Sequence, residues 1–167
     1  MAEIGTYQIA MPFGCYETQT IDSKNRLLIP KPDRDELGQN FVAAQTAVGC
    51  IGLYRLSDWM QTVVYARGFD KMNEGREAYT RLMFTGVKYG LNCDPQGRVV
   101  VPADILARAD IEKTVLMLGC DDRIELWNAA EYEKWQKDKK GYKADRRAEI
   151  KEAYEQMVAG GRPRLDT

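Results

Sequence analysis

The chain has 167 residues, 44% of them hydrophobic and 29% charged, with a net charge of −1. That composition belongs to an ordinary globular protein with apolar material for its own core, so disulfides or metals are not needed as staples. No apolar run approaches the roughly 20 residues of a membrane span, no histidine is present, and near-neutrality argues against one large basic face.

In chain order, the segment Met1–Met11 lacks the basic start and long apolar centre of a signal peptide, so the expected location is the cytoplasm. A strand then enters Asp22-Ser-Lys-Asn-Arg26, and Leu27-Leu28-Ile29 leaves it as a strand that Pro30 stops. A short helical piece is predicted over Asp33–Leu37, followed by strands Phe41–Thr46 and Ile51–Tyr54 around a turn at Gly49. Leu56, Trp59, Met60, Val63 and Val64 then form an amphipathic helical stripe that Ser57 or Asp58 can cap. A second helix carries Tyr79, Leu82 and Met83.

The pattern then returns. Asp94-Pro-Gln-Gly-Arg98, Val99-Val100-Val101 and Pro102 repeat the first motif 72 residues later. A helical piece over Asp104–Ala109 and strands Val115–Leu118 and Arg123–Trp127, turning through Gly119–Asp122, complete the second copy. Arg123-Ile-Glu-Leu-Trp127 matches Cys50-Ile-Gly-Leu-Tyr54, and Tyr132 falls near the register of Trp59. Ile150, Ala153, Tyr154 and Met157 make a last helical stripe, Gly160-Gly161 closes it, and a disordered tail is expected over Arg162–Thr167. The expected fold is therefore α+β. Two tandem β units span 11–56 and 87–130, with helices over 57–86 and 131–160.

The repeated motif has the chemistry of a tight turn. Asp22 and Asp94 can accept turn N–H groups and pair with an arginine four residues on. Gly97 suits a positive-φ position, and Asn25, at the same place in the first copy, is the next-best residue for it. Lys24, Arg26, Gln96 and Arg98 are side chains able to contact phosphates or base edges. Two readings of the arginines stay open: a bridge to Asp22 and Asp94 within each turn, or contact with DNA. Duplication favours the second, because two matching basic turns suit a ligand with two-fold-like symmetry.

Catalysis and metal binding find little footing. Cys15, Cys50, Cys93 and Cys120 are scattered without a CxxC pair. Without histidine there is no Ser-His or Cys-His pair, so no enzyme, cofactor or small-molecule substrate is expected. The run Lys134–Lys151 holds eight basic and three acidic residues and is taken as a solvated helix face.

At these residues the sequence resembles the MraZ family of AbrB-like transcriptional regulators. The markers are Met11-Pro-Phe-Gly14, Tyr16–Asp22, both Asp-x-x-x-Arg turns, Phe84-Thr-Gly86, and Leu118-Gly119 leading into Arg123–Trp127. Three departures are the ten residues before Met11, Asn25, where the family usually has glycine, and Pro12-Phe13 in place of a Phe-Arg order. The resemblance implies AbrB-like swapped-hairpin units forming one pseudo-dimeric barrel with peripheral helices. It also implies a ring-shaped homo-oligomer, associated with the nucleoid, that binds repeated promoter boxes of double-stranded DNA upstream of the division and cell-wall gene cluster. Lys24, Arg26 and Arg98 would then face the duplex, with Gln96 beside them. In a ring, modest basic turns add up through effective concentration, which answers the near-neutral charge. The rival is an AbrB-like antitoxin, or an oligomeric scaffold that does not regulate DNA.

Overall fold

The computed structural model describes residues 2–4, 7–161 and 163. Among these the chain runs β1 (Ala2–Ile4), β2 (Tyr7–Ile9), β3 (Tyr16–Thr20), β4 (Arg26–Leu28), α1 (Lys31–Leu37), β5 (Phe41–Gln45), β6 (Ile51–Tyr54), α2 (Leu56–Arg67) and α3 (Glu74–Phe84). The order from β3 onward then recurs as β7 (Lys88–Leu91), β8 (Arg98–Val100), α4 (Ala103–Arg108), β9 (Thr114–Cys120), β10 (Arg123–Trp127), α5 (Ala129–Lys137) and α6 (Ala144–Ala159). The sequence repeat is thus a repeat of secondary structure. Apart from Pro163, the tail expected to be disordered over Arg162–Thr167 lies outside the described residues.

The two copies are interlaced. Among the described residues one antiparallel sheet has the order β3-β9-β10-β6-β5-β7, while β4 pairs with β8 and β1 with β2. The entering strand of each copy pairs with the other copy: β3 lies on β9 from Tyr16↔Leu118 to Thr20↔Thr114, and β7 lies on β5. In the middle, β10 meets β6 with Glu125 opposite Gly52. The expected closed barrel is not found. β3 and β7 end the sheet as open edges, because β4 and β8 pair with each other instead of bridging those edges.

Both faces of the sheet are covered, which explains the unbroken apolar runs. Phe41 and Ala43 point into the main core with Leu27, Ile29, Val99, Val101, Ile105 and Met117, whereas Val42 and Ala44 pack against Trp59 and Val63. In β9, Val115 and Met117 face the main core, while Leu116 and Leu118 face Trp127, Tyr132 and Trp135.

The α2 stripe needs correction. Trp59, Val63 and Ala66 are buried, whereas Leu56 and Val64 are 41% and 53% exposed. The indole of Trp59 fills the space over Val42 and donates to the Tyr89 hydroxyl at 2.8 Å, so the helix is rotated toward Ala66 and turns Val64 outward. Neither Ser57 nor Asp58 caps α2. Arg55 is the N-cap residue and makes no side-chain cap bond, while the Asp58 carboxylate accepts from the Arg55 guanidinium at 2.9 Å. In α6, Ile150, Ala153 and Met157 are buried as expected, but Tyr154 is 41% exposed.

Candidate nucleic-acid interface

Each Asp-x-x-x-Arg motif closes through the same bonds. In the first turn the Asp22 Oδ1 accepts from the Lys24 and Arg26 N–H groups, both at 2.9 Å. The Asn25 N–H donates to the Asp22 carbonyl at 3.0 Å, and the Asp22 N–H donates to the Arg26 carbonyl at 3.1 Å. In the second turn Asp94 Oδ1 accepts from Gln96 and Arg98 at 2.9 Å, and Gly97 donates to the Asp94 carbonyl at 2.8 Å. Only a side chain as short as aspartate reaches these N–H groups from the first position. The fourth position is left-handed in both, with φ 58° at Asn25 and 85° at Gly97.

β4 and β8 set the turns back to back. Leu27 pairs with Val99, Arg26 with Val100 and Leu28 with Arg98. Just beyond, the Ile29 N–H donates to the Gly97 carbonyl at 2.9 Å, and the Val101 N–H donates to the Asn25 carbonyl at 2.8 Å. These reciprocal bonds relate the copies by a local half-turn. Leu27 and Val99 point into the core, and Leu28 and Val100, 42% and 55% exposed, point out.

Both arginines do bridge within their turns. Arg26 Nε donates to Asp22 Oδ2 at 2.7 Å, whereas Arg98 Nε lies 3.4 Å from Asp94 Oδ2 as an ion pair without a hydrogen bond. The Arg98 Nη1 also comes within 4.0 Å of Asp22, so the two turns share charge across the half-turn. Each arginine side chain stays about one third exposed, at 31% and 32%. Arg26, held through Nε, keeps its terminal nitrogens for a further partner, whereas the Arg98 Nε makes no hydrogen bond and its Nη2 reaches the Gln96 Oε1 at 3.5 Å, so in both turns a brace and a ligand contact are compatible. The Arg26 N–H holds the Asp22 carboxyl below its ordinary 3.8, and the Arg98 N–H does the same for Asp94. Lys24 and Gln96 occupy equivalent, exposed tip positions.

Arg34 on α1 joins this site without having been foreseen. Its guanidinium lies against Gly97 of the other copy, where a Cβ would collide with it and stand 2.9 Å from Nε. Spacing gave no signal for it, since the residue 72 positions later is Leu106. The basic run over Lys134–Lys151 is largely spent elsewhere. Lys134, Lys137, Lys143 and Lys151 pair with acids, and Arg146 and Arg147 donate to backbone carbonyls.

Among the described residues no group of three or more His, Cys, Asp or Glu side chains could hold a metal ion, and no helix is long and apolar enough to cross a membrane. Burial pushes the Cys15 thiol up to about 11 and raises Cys50 further, so both resist forming thiolates.

Residues 83–153 match the family model described as "MraZ protein" and "antitoxin-like". The chain is 35% identical over 115 residues to a protein of Clostridium acetobutylicum named "Transcriptional regulator MraZ", covering 69% of this chain and 78% of that protein. Proteins of the same name from Thermoanaerobacter sp. and Caldanaerobacter subterraneus subsp. tengcongensis are each 33% identical. They match 75% and 76% of this chain, and 86% and 87% of their own lengths.

Proposed function

This chain belongs to the MraZ family, and from that premise we propose that it is a DNA-binding transcriptional regulator whose two Asp-x-x-x-Arg turns meet the duplex together. The observation that carries this reading is the half-turn pairing of the two turns through β4 and β8. Paired loops of like backbone suit a ligand whose backbone presents charge at regular intervals. Lys24, Arg26 and Arg98 take phosphates or guanine edges, and the Gln96 amide supplies a donor and an acceptor for base edges. Asp22 and Asp94 preorganise the guanidinium groups, which lowers the entropy lost on docking.

The finer reading follows the family. We take the exchanged strands β3 and β7 as an AbrB-like swapped-hairpin arrangement of units 11–56 and 87–130. The regulator acts in the cytoplasm at the nucleoid and represses the division and cell-wall gene cluster from repeated promoter boxes. It does so as a ring-shaped homo-oligomer, without enzymatic activity. Outward apolar residues on α2 and α6, among them Leu56, Val64 and Val158, support self-association.

An electrophoretic shift with the DNA upstream of its own gene tests the central claim. A shifted band that survives excess unrelated duplex is expected, and an unmoved band overturns it. The "antitoxin-like" description of the family model favours a second reading, a module that sequesters a toxin protein. That reading calls for stoichiometric co-purification of a partner and no DNA shift.

A further inference from the structure

We propose that Arg34 supplies the second turn with the phosphate-binding cation that Gln96 lacks, so that both turns offer DNA one surplus positive charge. The proposal rests on the DNA-binding reading above and adds a residue to that site.

The first turn contains one acid, Asp22, and two bases, Lys24 and Arg26. Arg26 is matched to Asp22 at 2.7 Å, which leaves Lys24 exposed at the tip. In the second turn Arg98 answers Asp94, and the tip residue is the neutral Gln96. Taken alone, the second turn has no surplus cation. Arg34 makes up the difference from outside the motif, because its guanidinium rests on Gly97, the residue next to Gln96. Its charge is felt at the start of the same turn, where it opposes the upward push of burial on the Cys93 thiol.

The half-turn relation sharpens the point. Position 34 corresponds to position 106, where Leu106 lines a groove beside Asn25 with Ala103, Ala107, Asp110 and Glu112. The first turn therefore has a cation at its tip and a leucine at its flank. The second has glutamine at its tip and an arginine at its flank. Two differences of opposite sense leave each turn with one cation outside its Asp–Arg pair. Among the described residues, neither Lys24 nor Arg34 has a carboxylate within 4.0 Å, although Lys31 on the same helix pairs with Asp35. An unpaired guanidinium at a turn surface has the geometry that phosphate recognition uses.

Salt dependence reads this directly, since each phosphate neutralised adds about 0.9 to the slope of log affinity against log salt. Binding of a labelled duplex from upstream of its own gene would be titrated across salt for the wild type, Lys24→Gln, Arg34→Gln, Arg34→Lys and Arg34→Gln with Gln96→Lys. Thermal midpoints would be followed in parallel. The slope should fall by about 1 in each single glutamine variant, stay near the wild type in Arg34→Lys, and return in Arg34→Gln with Gln96→Lys. An Arg34→Gln slope equal to the wild type, beside a reduced Lys24→Gln slope, overturns the proposal and leaves the DNA reading standing. Failure of Gln96→Lys to restore the slope also overturns it and makes Arg34 a packing residue of Gly97. A wild type with no salt-dependent binding brings down the DNA reading itself.

Discussion

Leu27 lies directly opposite Val99 where β4 crosses β8, and both side chains are buried at the centre of the half-turn that relates the two loops. The pair links the core to the candidate site, since each loop is anchored through the strand of the other. Leu27→Ala should lower stability by about 2–5 kcal/mol, as truncation of a buried leucine does. Leu28→Ala, one residue on and facing outward, should change it by less than about 0.5 kcal/mol. Urea denaturation of the two variants checks the contrast.

Arg26 and Arg98 should matter to DNA far more than to folding. Their bridges to Asp22 and Asp94 are about one third exposed, and such pairs contribute about 0–1 kcal/mol to stability. Single alanine variants should weaken DNA binding by about 1–3 kcal/mol where the arginine reads a base. Fluorescence anisotropy with the upstream duplex measures this. Wild-type affinity in the double alanine variant would contradict the assigned role.

The two left-handed positions should respond differently to mutation. Gly97→Ala places a Cβ in a left-handed backbone, at about 1–2 kcal/mol, and drives it into the Arg34 guanidinium. Asn25→Gly keeps the same conformation and should stay within about 0.5 kcal/mol of the wild type. Thermal unfolding of both variants should separate them, with only Gly97→Ala clearly lowered.

Acid should loosen the turns. Asp22 and Asp94 have native pKa values below their ordinary 3.8, held there first by the Arg26 and Arg98 N–H groups. A depressed carboxyl stabilises the fold fully above its unfolded value and ceases to do so as pH falls through the native one. Stability should therefore hold down to about pH 4 and drop below it. Asp22→Asn with Asp94→Asn should flatten that drop, as urea midpoints measured against pH would register.

Gly75→Ala should destabilise the protein even though alanine is the better helix former by about 1 kcal/mol. Gly75 is buried within α3, where a Cβ would run into the Met157 backbone of α6. Backbone cannot swing aside as a flexible side chain can, so α6 must shift. A raised thermal midpoint would show that the two helices are less tightly apposed than the structure has them.

The two turns, their strands and the α+β class were legible from the sequence alone, because their causes are local. An aspartate reaches N–H groups two and four residues ahead, the fourth place needs Asn25 or Gly97, and Pro30 and Pro102 stop the strands within one short window. The repeat added that the second turn takes the backbone form of the first. Only the tertiary structure decided that β3 joins β9, that β7 joins β5, and that the sheet stays open where a barrel was expected. It also decided that Trp59 turns inward and Val64 outward, that Gly75 meets Met157, and that Arg34 covers Gly97. Each of these depends on surfaces contributed by distant parts of the chain, and a helical or strand period fixes the spacing of a face but not what that face will meet.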